Sequence, residues 1–159
     1  FTTNFMTLLS RLPFMPLYYE GKTKFAPIHV TDLVNIVFDI VEGKTSEKTI
    51  ECIGPEIISF KEIILKLLKA IDKKRLLIPL PLTIAKITAM FFEIMPKPLI
   101  TVDQLNLLKY DNISSGQYKT NFELGLKANK FFDEELKKYS FNWRVGGQYS
   151  RDKSSGINQ

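Results

Sequence analysis

Residues 24–33 read KFAPIHVTDL. Pro27 disfavours helix before it, and Phe25 and His29 sit at even spacing on an extended segment. Thr31 or Asp32 then offers a side-chain oxygen to the first free N–H groups of a helix. Leu33, Val34, Ile36, Val37, Ile40 and Val41 follow at helical spacing. Glu42-Gly43-Lys44 closes that helix, with glycine just past its end. The expectation is a short strand that runs into a capped helix.

Working outward, residues 1–12 carry apolar side chains at 1, 5, 8, 9 and 12, the pattern of an amphipathic helix ended by Pro13 and Pro16. Residues 17–19 and 24–27 flank a turn at 20–23. Residues 49–53, TIECI, read as a buried strand ending at Gly54-Pro55. Ser59 with Glu62 makes a capping box for a helix to residue 72, apolar at Ile63, Ile64, Leu67, Leu68 and Ile71. Residues 76–81 are extended, and Pro79 and Pro81 keep them out of a central strand. Helices are expected over 82–95 and from a cap at Thr101. Prolines at 79, 81, 96 and 98 break the apolar run from 76 to 100 below the ~20 residues a spanning helix needs. The broad apolar surface of 82–95 suits either a helix buried between neighbours or a docking face for a membrane complex or the bilayer surface. A polar loop over 112–120 and a short helix pair, 122–126 and 131–139, complete the ordered part. From 143 the text is rich in Gly, Ser and charge, and a disordered tail is expected.

Taken in order, IHVTDL, TIECIG, GPEIISFKEII, RLLIPLPLTIAK and MPKPLITVDQLNLLKYDN resemble the C-terminal half of extended and atypical short-chain dehydrogenases/reductases. The branch most similar is the NAD(P)-binding accessory subunit of respiratory complex I and its bacterial relatives. The resemblance covers residues 1–126. It implies an α/β fold, the C-terminal part of a Rossmann-type extended enzyme: the last sheet strand plus a small, mainly helical ligand-side lobe over 1–142, with a tail over 143–159. The Gly-rich turn of that family, G-x-x-G-x-x-G, is not in the chain. The chain also opens at Phe1 inside a helical pattern. The dinucleotide-binding N-terminal half is therefore expected upstream, NAD(P) is expected to be held mainly there, and no catalytic residue is assigned here. The family's catalytic Tyr-x-x-x-Lys is expected upstream as well.

The resemblance implies that the segment around His29 edges the ligand cleft. Leu17, Phe25, Pro27, His29 and Gly54 are the candidates for a substrate or cofactor pocket. His29 is the single histidine. It suits a pocket residue beside the nicotinamide or a structural ring tying two segments together. Gly54 suits close backbone approach to a ligand or the tight turn before Pro55. Nucleotide-sugar epimerases of the extended group resemble this motif but carry Arg where Phe25 stands. Arg grips a diphosphate in bidentate fashion and Phe cannot. Phe25 thus argues against a nucleotide-sugar substrate.

Composition bounds the rest. Cys52 is the single cysteine, so no internal disulfide forms, and a buried, inert thiol is the expected reading. One His and one Cys cannot build a zinc site. A net charge of +5 comes from interspersed Lys and Glu, and the one tight basic run, Lys73-Lys74-Arg75, reads as a solvated helix end. Nucleic-acid binding has no footprint of basic residues interleaved with aromatics. Three functions stay open: a nucleotide-holding subunit without turnover, an active NAD(P)-dependent reductase, epimerase or dehydratase with its Tyr and Lys upstream, and a nucleotide-free interaction module. The expected partners are the N-terminal Rossmann half and either complex I or the membrane surface, in the cytoplasm or at the inner membrane.

Overall fold

A computed structural model of the chain describes residues 2–80 and 106–149. The fold is mixed α/β with a small parallel sheet, and its residues group into two compact units. The first unit draws on Phe1–Thr23, Ser59–Tyr110 and Leu136–Gln159, the second on Lys24–Ile58 and Asp111–Glu135. The elements are α1 (Thr2–Arg11), β1 (Phe14–Tyr18), a 3₁₀ turn (Tyr19–Gly21), β2 (Lys24–Phe25), α2 (Val30–Val41), β3 (Ile58–Ser59), α3 (Phe60–Ala70), β4 (Leu76–Leu80), α4 (Phe132–Lys137) and a final 3₁₀ turn (Ser140–Trp143). The expected helix over 82–95 lies outside the described residues, as does the start of the one from Thr101, of which residues 106 and 107 are helical and 108–109 a turn. Among the described residues, no helix is long and apolar enough to cross a membrane.

The core of the first unit is a helix pair beside a strand pair. On α3, Phe60, Ile63, Ile64, Leu67 and Leu68 are buried, followed by Ile71. Their spacing of three and four puts them on one stripe. That stripe meets α1, which buries Met6 and Leu9, and the Phe5 and Phe60 rings pack edge to face at 5.6 Å. The capping box starts α3: Ser59 Oγ accepts the Glu62 N–H at 3.2 Å and Glu62 Oε2 accepts the Ser59 N–H at 2.7 Å. β1 and β4 run parallel, with Pro16 opposite Ile78 and Leu17 opposite Pro79. Each strand has a single neighbour among the described residues, so a proline that cannot donate is tolerated in each.

The basic run does not end in solvent. Arg75 Nε donates to the Leu9 carbonyl at 2.8 Å and Nη2 to that of Ser10 at 3.4 Å, closing the C-terminal end of α1. A guanidinium suits this pole of the helix dipole, and here it serves a helix distant in sequence. Arg144 does the same for α3 through the Ala70 carbonyl at 2.8 Å. Of the expected disordered tail, residues 144–149 form turns, in which the Tyr149 N–H donates to the Asn142 carbonyl and its ring packs on Trp143 at 4.9 Å. The remainder lies outside the described residues.

The second unit has a smaller core of Ile36, Leu126 and Ala128, with Ile28, Ile40, Ile50, Cys52 and Leu124 packed around it. The strand expected over 49–53 is not formed. Glu51 makes one parallel bridge with Thr120, and the Ile53 N–H donates to the Asn121 side chain at 2.8 Å instead of to a backbone ladder. A strand needs a continuous backbone partner, and 119–121 supplies only two rungs before the chain turns. Cys52 is accordingly half-buried rather than enclosed in a sheet. Residues 121–125 form a turn where a helix was expected, and the last α-helix is the shorter α4.

Candidate functional site

Three backbone runs of the second unit, 26–28, 51–53 and 112–113, frame a depression of about 370 Å³. Local backbone bonds set its shape. The Ala26 N–H donates to the Asn112 carbonyl at 3.0 Å, and the Asn112 N–H donates to that of Lys24 at 2.8 Å. The Gly54 N–H donates to the Ala26 carbonyl at 3.1 Å. A Cβ on Gly54 would lie 1.8 Å from the Pro27 oxygen. The glycine therefore admits the chain's own backbone, a third use beside the two expected for it.

The five candidate residues divide. Pro27 lines the depression, with Phe25 and His29 flanking it in sequence and Gly54 against its carbonyl. Phe25 is half-buried on β2 and bridges with Asn112. Leu17 is buried in β1 and belongs to the first unit.

His29, not Thr31 or Asp32, is the N-cap of α2. Its Nδ1 accepts the Thr31 N–H at 3.2 Å, because the extended backbone of His29 turns the ring back over the first helical turn. Nε2 lies 3.6 Å from Glu135 Oε2. Asp32 turns inward instead and accepts two backbone N–H groups, from Asn129 and Lys130. The cap moves because a buried, inward Asp32 satisfies two backbone donors of the 129–130 loop, while an outward one would satisfy only the helix end.

Beside the depression, the Glu51 carboxylate accepts hydrogen bonds from the hydroxyls of Ser114 and Ser115 and, at 2.9 Å, from the Ser115 N–H. The Ser114 hydroxyl, then that of Ser115, holds this carboxyl below the usual carboxylate range. A carboxylate committed in this way is a poor proton acceptor. Burial pushes the Cys52 thiol upward, away from the thiolate. Among the described residues, no group of His, Cys, Asp and Glu is placed to hold a metal. The depression thus offers backbone groups, the Asn112 side chain and a hydrogen-bonded Glu51 carboxylate.

The Tyr-x-x-x-Lys spacing expected only upstream does occur here, at Tyr18/Lys22 and Tyr149/Lys153. That spacing brings two side chains to one face on a helix. Tyr18 instead ends β1, buried, and the chain then passes through positive φ at Tyr19, Glu20 and Gly21 before Lys22, which pairs with Glu20 on the surface. The first pair forms no helical dyad, and Lys153 lies outside the described residues.

Sequence reasoning missed Glu135, Asn112 and Asn121 as organising residues. They stand in polar stretches whose partners are distant in sequence, and no local pattern marks them. No family model matches the chain, and none of the curated proteins is significantly similar to it.

Proposed function

We propose that the chain is the C-terminal, ligand-side part of an NAD(P)-binding protein similar to atypical short-chain dehydrogenases/reductases, closest to the complex I accessory subunit. In this reading it helps hold a nucleotide without turning over a substrate. One observation carries the proposal beyond the resemblance of motifs. α2 buries only Ile36 and Asp32, while Val30, Val34, Val37, Phe38 and Val41 are exposed, Val34 at 58% and Phe38 at 60%. A helical apolar stripe of this breadth normally faces a core. The helix that follows the resembling IHVTDL segment therefore has an apolar face to spend on a further layer, as a helix covering a Rossmann sheet does.

The nucleotide's phosphates do not fit this part of the protein. A diphosphate needs free N–H groups at a Gly-rich helix entry. The chain has no such turn, and the Thr31 N–H at the entry of α2 is taken by His29. NAD(P) is accordingly assigned to the upstream half, with Phe25, Pro27 and His29 as candidate edges of its cleft. Phe25 in place of a phosphate-gripping Arg, and the commitment of Glu51, favour holding over turnover. Docking to complex I or to the membrane surface belongs to the same reading.

The test is NADPH titration of the protein carrying its upstream sequence, beside the 159-residue chain alone. Saturable binding by the first and none by the second is expected. No binding by the longer protein sinks the proposal, and NADPH-dependent turnover of a carbonyl or nucleotide-sugar substrate replaces it with the enzyme reading.

A further inference from the structure

His29 faces two groups with opposite demands. Its Nδ1 accepts the Thr31 backbone N–H at 3.2 Å, and its Nε2 lies 3.6 Å from Glu135 Oε2. An imidazole nitrogen accepts a hydrogen bond only while it carries no proton. The observed cap thus requires a neutral ring with its proton on Nε2, directed at the Glu135 carboxylate. Histidine is the side-chain type that ordinarily changes charge between pH 5 and 8. Protonation places a hydrogen on Nδ1, and two donors then face each other at Thr31. The cap bond is lost at the moment the interaction with Glu135 gains a full charge.

We propose that His29 is a pH-operated latch on the first turn of α2. At neutral pH the ring caps the helix. In acid it releases Thr31 and is held by Glu135 alone, and the first turn loosens. The charged groups nearest the ring are the Glu135 carboxylate and Lys130, whose Nζ lies 3.6 Å from the other oxygen of that carboxylate. Asp32 is committed to the Asn129 and Lys130 N–H groups, and Glu56 accepts the Phe132 N–H at the start of α4 at 2.8 Å. The carboxylate that turns to the ring is that of Glu135. The latch acts at Val30, the first residue of the exposed apolar face, and it stands whether or not the nucleotide reading does.

The experiment is ¹⁵N NMR of the 159-residue chain between pH 5.5 and 7.5, read at the His29 ring and at the backbone amides of residues 31–33. A neutral ring protonated at Nε2 is expected. Protection of the Thr31 amide from hydrogen exchange, corrected for intrinsic rate, falls about fivefold in step with ring protonation, the size of a lost N-cap. In His29→Asn the cap acceptor no longer titrates, and protection stays level. A neutral ring protonated at Nδ1, Thr31 protection indifferent to ring charge, or an equal fall in His29→Asn overturns the latch.

Discussion

The carboxylate of Asp32, 5% exposed on the first turn of α2, accepts the backbone N–H of Lys130 at 2.8 Å across 98 positions of sequence. The same oxygen accepts the Asn129 N–H at 2.9 Å. Charge-assisted bonds of this kind are the stronger ones, and an amide left without its acceptor costs its full desolvation. Asp32→Ala should therefore cost about 3 kcal/mol. Asp32→Asn, which keeps one acceptor oxygen, should cost about half as much. Urea unfolding with an unchanged slope measures both. Equal loss in the two variants contradicts the assignment.

Two glycines should respond differently to a single methyl group. At Gly54 the added Cβ meets Pro27 backbone atoms at 1.8 and 2.5 Å. Backbone cannot step aside as a flexible side chain can, so Gly54→Ala should cost more than about 3 kcal/mol. Gly43 has φ +81 and nothing within 4 Å of an added Cβ. Gly43→Ala bears only the left-handed penalty, about 1 kcal/mol. Thermal unfolding of the two variants side by side separates them.

The capping box of α3 predicts an acid-sensitive helix end. The Ser59 N–H and hydroxyl hold the Glu62 carboxyl below the usual carboxylate range. A carboxyl lowered in the folded state contributes stability that is present above its unfolded value and lost as pH falls through its folded value. The contribution should therefore be intact at neutral pH and disappear only below the ordinary carboxylate range. Glu62→Gln removes the titrating partner, so denaturant midpoints of wild type and this variant should differ at pH 7 and converge as that range is crossed downward. Ser59→Ala, which removes the acceptor of the Glu62 N–H, should cost about 1 kcal/mol at either pH.

Ile36 and Val37 are neighbours with opposite fates, 1% and 51% exposed. Ile36→Ala removes part of a small core and should cost about 2–4 kcal/mol. Val37→Gln touches only the outward face of α2 and should stay within about 0.5 kcal/mol. It should also reduce self-association of the isolated chain in light scattering. A large stability loss in Val37→Gln indicates that this face is already covered in the chain.

Cys52 should react slowly. Burial raises its thiol, so the thiolate fraction at neutral pH is smaller than that of a free cysteine. Iodoacetamide alkylation of the folded chain should be slower than that of the urea-unfolded chain, and should accelerate as pH rises. Equal rates in the two states disprove the shielding.

Sequence and tertiary structure divide by range. The Ser59–Glu62 box, the stripe from Ile63 to Ile71 and the glycine after α2 were legible, because each depends on residues within two or three turns of one another. The strand over 49–53 was not, since β-pairing is decided by what lies alongside, and only a single bridge at Thr120 does. His29 and Asp32 show the same boundary within one motif. Thr31 or Asp32 ahead of the apolar stripe announced a capped helix, but which side chain caps it was decided at Asn129 and Lys130, whose backbone N–H groups draw Asp32 inward and leave the helix end to the imidazole. Local periodicity and capping are written in neighbouring residues, whereas the satisfaction of buried polar groups depends on partners the chain brings close only when it folds.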